Sequence, residues 1–135
     1  MENAQKIQHL YARAGFGLSP AEWSQRRGQS LDEALQDLFS KQNESGELSV
    51  PALVISETTA NNNEVLQKER QLVAGIGIDW LHRMADPAGN ALLERMCLFW
   101  HGHFACDIRI GLPAGQYLNT LRRYALGNFR DLVTA

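Results

Sequence analysis

The sequence predicts an all-α chain, an irregular bundle of about six or seven helices. Three observations predict it. Apolar residues recur at helical spacing through most of the chain. Two Ser-x-x-Glu capping boxes, Ser19 to Glu22 and Ser30 to Glu33, stand close together ahead of apolar stripes. No alternating apolar and polar run has convincing strand length, and no internal repeat is present.

The first helix is carried by Ile7, Leu10, Tyr11 and Ala14, spaced i, i+3, i+4, i+7, and Gly15-Phe16-Gly17 stops it with an inexpensive left-handed turn. Ser19 caps a short second helix with Pro20 at its first position, running to about Arg27 and ending at Gly28. Ser30 caps a third, whose stripe is Leu31, Ala34, Leu35, Leu38 and Phe39. Residues 41–63 read as an irregular connection, with a turn at Asn43-Glu44-Ser45-Gly46 and Pro51 breaking an apolar patch. Periodicity returns near Glu64, with Val65, Leu72, Val73, Ile76, Trp80, Leu81 and Met84 inward. Gly75 and Gly77 lie inside that stripe, so the helix bends there or a neighbour packs against bare backbone. Asp86-Pro87 is expected to start the next helix as N-cap and first residue. Its wide face of Leu92, Leu93, Met96, Phe99, Trp100 and Phe104 implies burial on more than one side. Beyond a break at Leu112-Pro113, Tyr117, Leu118, Leu121 and Ala125 mark another helix closed by Gly127, and Asn128 caps a last one from Phe129. That last segment is barely two turns, with neither a C-cap glycine nor a polar tail. Residues 1–135 are therefore expected to be a single helical region, a piece of a larger helical domain.

Composition bounds the function classes. The chain has 135 residues, 44% of them hydrophobic and 21% charged, with a formal charge of −2. That is enough apolar matter for a core and argues against disorder. The longest apolar stretch, Leu72 to Ile78, stops at Asp79, well short of the ~20 residues of a membrane span. The start carries Glu2 and no following apolar run, so no export signal is read there. Two cysteines do not make a disulfide framework. The charge is uneven: Gly28 to Glu69 holds eight acids against Lys41 and Lys68, whereas Arg109, Arg122, Arg123 and Arg130 follow Ile108 against Asp131 alone. Without a basic run, pairing of these arginines with the acidic half or with a further part of the chain is the expectation, and no nucleic acid partner is expected.

The densest reactive group is Glu94, Cys97, His101, His103 and Cys106. Glu94, Cys97 and His101 share a helix face, and Cys97 with His101 has the i, i+4 spacing that lets two side chains reach one metal ion. His103 and Cys106 fall on a different face unless Gly102 breaks the helix. Nine residues of continuous helix span ~13.5 Å, so the two cysteines would stay free thiols. The competing reading makes Trp100-His101-Gly102-His103-Phe104 core packing with imidazoles bonded to carbonyls. His9 and His82 lack ionisable partners and read as structural or surface residues; Asp79 with Arg83 reads as a helix-stabilising pair. No P-loop, GxGxxG, HExxH or GxSxG occurs.

Three stretches together resemble a known family. His9-Leu10-Tyr11-Ala12-Arg13-Ala14-Gly15-Phe16-Gly17 is similar to the opening motif of the bacterial family called domain of unknown function 1800. Glu94 to Phe104 resembles its FWHxHF motif, and Leu121 to Leu132 resembles a third block, in matching order and spacing over nearly the whole chain. The resemblance implies a helical N-terminal segment of a protein several hundred residues long whose biochemical activity is unassigned. Many members of the family are exported. It further implies that His101 and His103 contribute to a composite metal or acid–base site, a divalent metal being the cofactor such a site would take, completed by an acidic block in the remainder of the full-length chain. Cys97 and Cys106 lie outside the family motif. The alternative is a helical scaffold or interaction domain in which the FWHGHF stretch is purely core.

Overall fold

The computed structural model describes residues 2–40, 46–50, 62–104, 106–107 and 109–135. Among them are seven helices: α1 (Asn3–Ala14), α2 (Pro20–Arg26), α3 (Leu31–Ser40), α4 (Asn62–Ala85), α5 (Ala91–His103), α6 (Gly111–Tyr124) and α7 (Phe129–Thr134). The class is all-α. Both capping boxes form: Glu22 N donates to Ser19 Oγ (3.3 Å) and Ser19 N to Glu22 Oε2 (2.8 Å), with the same reciprocal pair between Ser30 and Glu33. Asn128 caps α7, accepting from Arg130 N at 2.8 Å. Of the expected connection over 41–63, residues 46–50 are irregular and 62–63 already belong to α4. Residues 41–45 and 51–61 lie outside the described residues.

Two hydrophobic clusters organise the chain. Ile7, Tyr11, Ala34 and Leu38 form the first, between α1 and α3, with Trp23 of α2 and Leu92 of α5 packed against it. The second joins α4, α5, α6 and α7 through Ile76, Trp80, Leu93, Cys97, Leu118, Leu121, Ala125 and Leu132, and takes in Leu48. Leu48 is held where it is by Asn119, which accepts from Leu48 N (2.8 Å) and donates to Leu48 O (3.1 Å). One side-chain amide thereby replaces a strand neighbour for an otherwise irregular segment.

Several sequence expectations change. Asp86-Pro87 does not start α5. Asp86 Oδ1 accepts from Ala88 N at 2.9 Å in a turn, and Asn90 is the cap, accepting from Leu93 N at 3.0 Å. Pro113 sits in the first turn of α6 rather than before it, a position that needs no N–H partner. Leu81, expected inward, is 60% exposed, and Phe99, expected on the apolar face of α5, is 56% exposed; α5 nonetheless packs on two sides, through Leu92 against the first cluster and Leu93 against the second. Gly15 ends α1 without a left-handed conformation; the positive φ of the Gly15-Phe16-Gly17 turn is at Gly17 (94°). Among the described residues no neighbour packs against Gly75 or Gly77: a β-carbon at either would meet nothing within 4 Å. The close approaches are at Gly111 and Gly115. There a β-carbon would run into Leu72 and Val50, so α6 lies against α4 and against residue 50 by way of bare backbone.

Candidate functional site

Helix α5 carries Glu94, Cys97, His101 and His103 of the predicted group, with Cys106 beyond its end, and its neighbours divide those four among three environments. On the inner face, Glu94 and Cys97 are 2% and 0% exposed. Glu94 is fully engaged: Trp80 Nε1 donates to its Oε2 at 2.8 Å, and Arg122 Nη1 donates to Oε1 in a buried ion pair. Arg122 Nη2 reaches Gly46 O at 3.1 Å, and its Nε is buried without an acceptor. Arg83 donates to Gly46 O and Glu47 O, both at 3.0 Å, while keeping its ion pair with Asp79 at 3.7 Å. Two arginines from different helices thus grip the same stretch of backbone. Burial, with the Glu94 carboxylate beside it, pushes the Cys97 thiol up to about 12, making it an inert core residue.

One turn further on, His101 is half-buried between α4 and α6. Its ring meets Trp80 edge-on (centroids 5.5 Å apart) and Tyr117 at 5.7 Å. Its Nδ1 is buried and makes no hydrogen bond. The ring lines a cavity of about 310 Å³ together with Trp80, Tyr117, Gly77, Cys106 and Asp107. Tyr117 OH donates to Phe104 O at 3.3 Å, and burial raises its phenol above the ordinary value. Asp107 is clasped by Arg109, with contacts of 2.7 to 3.3 Å, so its charge is neutralised locally.

His103 points elsewhere. Two residues along a helix is a rotation of ~200°, and His103 is exposed, stacked on Phe99 with centroids 6.1 Å apart and edge-on to Trp100. The structure therefore separates His101 from His103. Cys97 and Cys106 are both free, the second exposed with its thiol donating to Phe104 O at 3.0 Å. Among the described residues, no three His, Cys, Asp or Glu side chains are grouped to hold a metal ion. His9 and His82 are exposed.

Sequence reading missed a third assembly. Tyr11 OH donates to Asp37 Oδ2 at 3.0 Å and accepts from Arg26 Nη1 at 2.7 Å, and Arg26 also pairs with Asp37 and lies over the Tyr11 ring, 5.0 Å from its centroid. Burial and the Asp37 carboxylate raise the Tyr11 phenol above its ordinary value. This network lines a cavity of about 320 Å³ that also takes in Phe16, Gly17, Asp86, Pro87 and Gly89 to Ala91. Its members stand 11 to 26 residues apart, beyond any local spacing signal.

Three of the four arginines of the basic end form internal pairs, Arg122 with Glu94, Arg123 with Glu47 and Arg109 with Asp107, and of these only the Arg123 pair reaches the acidic middle. Among the described residues, no helix is long and apolar enough to cross a membrane.

Comparison with known proteins agrees with the motifs. A family model described as a protein of unknown function, DUF1800, matches residues 9–135. No curated protein and no solved structure matches the chain.

Proposed function

The chain belongs to the DUF1800 family of proteins of unknown function, and from that premise we propose that its α4, α5 and α6 helices form a scaffold presenting His101 as an acid–base group. The observation that carries this reading is the buried His101 Nδ1 without a hydrogen-bond partner, on a ring that lines a cavity. Buried polar atoms are nearly always satisfied, so an exception asks for a reason. The ring is held by the faces and edges of Trp80 and Tyr117 rather than by a hydrogen bond. That leaves Nε2 as the nitrogen able to exchange a proton with a molecule in the cavity. The remainder of a longer chain would complete a composite site around it. A divalent metal at His101 or His103 would require ligands beyond the described residues, whereas the acid–base form requires none. His103, on the solvent side of α5, takes no share in this cavity.

A second reading makes the FWHGHF stretch packing alone, within a scaffold or interaction domain. Trp100 favours it, since its ring stacks on Phe104 and Phe129 and its Nε1 donates to Ala125 O at 3.1 Å.

Metal analysis of the full-length protein beside His101→Ala, together with proton NMR of the imidazoles, separates these readings. Metal that is equal in both proteins and at background removes the metal form. A His101 ring signal that fails to titrate between about pH 5 and 8 removes the acid–base form and leaves the scaffold.

A further inference from the structure

Gly77 has no local reason to stand in the middle of α4. Glycine weakens a helix interior, and no neighbour among the described residues uses the bare backbone, because a β-carbon there would meet nothing within 4 Å. What Gly77 does is form wall in the His101 cavity. The missing side chain is therefore volume in that cavity.

Resting on the acid–base reading of His101, we infer that this cavity takes a neutral, single-ring ligand bearing one hydroxyl group, its ring lying against Gly77. Four features define that chemistry. The volume of about 310 Å³ is roughly twice that of a cavity known to hold benzene. The walls are ring faces and edges, Trp80, His101 and Tyr117, continued by Val73, Ile76 and Leu118, a lining that favours an aromatic or alicyclic body. Among the described lining residues, with the imidazole neutral, the one charged group, Asp107, is clasped by Arg109, so a charged ligand would lose its hydration without gaining a partner. The Tyr117 oxygen, whose hydrogen is directed to Phe104 O and which also meets the Cys106 thiol, keeps a lone pair able to accept from a ligand hydroxyl. His101 is the neighbouring group able to exchange that hydroxyl's proton.

The probes are p-cresol, toluene and 4-methylbenzoate, titrated into the full chain and followed by NMR at His101 and Tyr117. We expect p-cresol to shift both signals, toluene to bind more weakly and 4-methylbenzoate not to bind. Gly77→Leu should weaken p-cresol by about tenfold or more, because the new side chain occupies the ring's place. Gly77→Ala, which adds one carbon, serves as the folded control. Binding of p-cresol that Gly77→Leu leaves unchanged, or absence of p-cresol shifts at both residues, overturns the inference. Toluene binding as well as p-cresol overturns the hydroxyl's part, and tighter 4-methylbenzoate overturns neutrality. A His101 that titrates while Gly77→Leu has no effect overturns the ligand and spares the acid–base group. Gly77-dependent p-cresol binding beside a His101 that does not titrate does the reverse.

Discussion

Trp80 Nε1 donates to Glu94 Oε2 across 2.8 Å, while the same indole stands perpendicular to the His101 ring in a T-shaped contact. One side chain of α4 thus fixes both the buried carboxylate and the imidazole of α5, and its position depends on the Glu94 to Arg122 pair behind it. Removing one partner of a buried ion pair leaves the other charge uncompensated. Arg122→Met is expected to destabilise the fold by about 3 to 5 kcal/mol, measured by urea unfolding. The double variant Glu94→Leu with Arg122→Met should recover much of that loss, which a loss of packing alone would not.

The glycines separate into two classes that one mutation type distinguishes. Gly75→Ala and Gly77→Ala add a methyl to open space in a helix interior and should each stabilise by roughly 0.5 to 1 kcal/mol. At Gly115 the added β-carbon would stand 2.8 Å from Val50 Cγ1 and 3.0 Å from its Cβ, and at Gly111 it would stand 3.0 Å from Leu72 Cβ. Gly111→Ala and Gly115→Ala should each cost about 1 to 3 kcal/mol. Thermal unfolding of the four variants gives opposite signs for the two pairs.

The two thiols should differ in the native state. Cys106 is exposed and Cys97 is wholly buried, so a thiol reagent at mildly alkaline pH modifies one cysteine per chain, and the second only after denaturation. The raised Cys97 value also fixes a sign. Its neutral form is favoured by folding, so this contribution to stability is complete below the ordinary thiol value of 9.0 and disappears as pH rises toward about 12. Cys97→Ala should flatten the fall in stability over that window, read from urea midpoints at successive pH values.

Tyr11→Phe removes a hydroxyl that joins Arg26 to Asp37 and should cost about 1 kcal/mol. Because burial and the Asp37 carboxylate raise the Tyr11 phenol, native Tyr11 ionises later than a free tyrosine. The ultraviolet titration of the variant should lose one late-ionising phenol.

What the sequence disclosed was what short-range chemistry decides. Ser19, Ser30 and Asn128 cap helices through partners two or three residues away, and the stripes of α1 and α3 meet at Ile7, Tyr11, Ala34 and Leu38 as their spacing requires. Asp86-Pro87 failed as a cap because Asn90 offers the same short-range chemistry four residues later. A tight turn joins the two, with Gly89 N donating to Asp86 O at 3.0 Å. The glycine contacts were illegible for a different reason: a bare backbone position looks alike in sequence whether it faces a neighbour, as Gly115 does, or a void, as Gly77 does. His101 and His103 are likewise twins by sequence, and only the placement of Trp80 and Tyr117 distinguishes them.

Leu92 packs with the α1 to α3 cluster and Leu93 with the α4 to α7 cluster, so adjacent residues of α5 serve two cores. Partial opening has a natural seam there: the three N-terminal helices can lift away while Leu93 stays packed. Amides of α1 and α3 would then exchange with deuterium at a lower opening free energy than those of α6. A molecule bound in the His101 cavity would slow exchange in α4 and α6 and leave the N-terminal helices untouched. The chain would behave as two cooperative units sharing one helix.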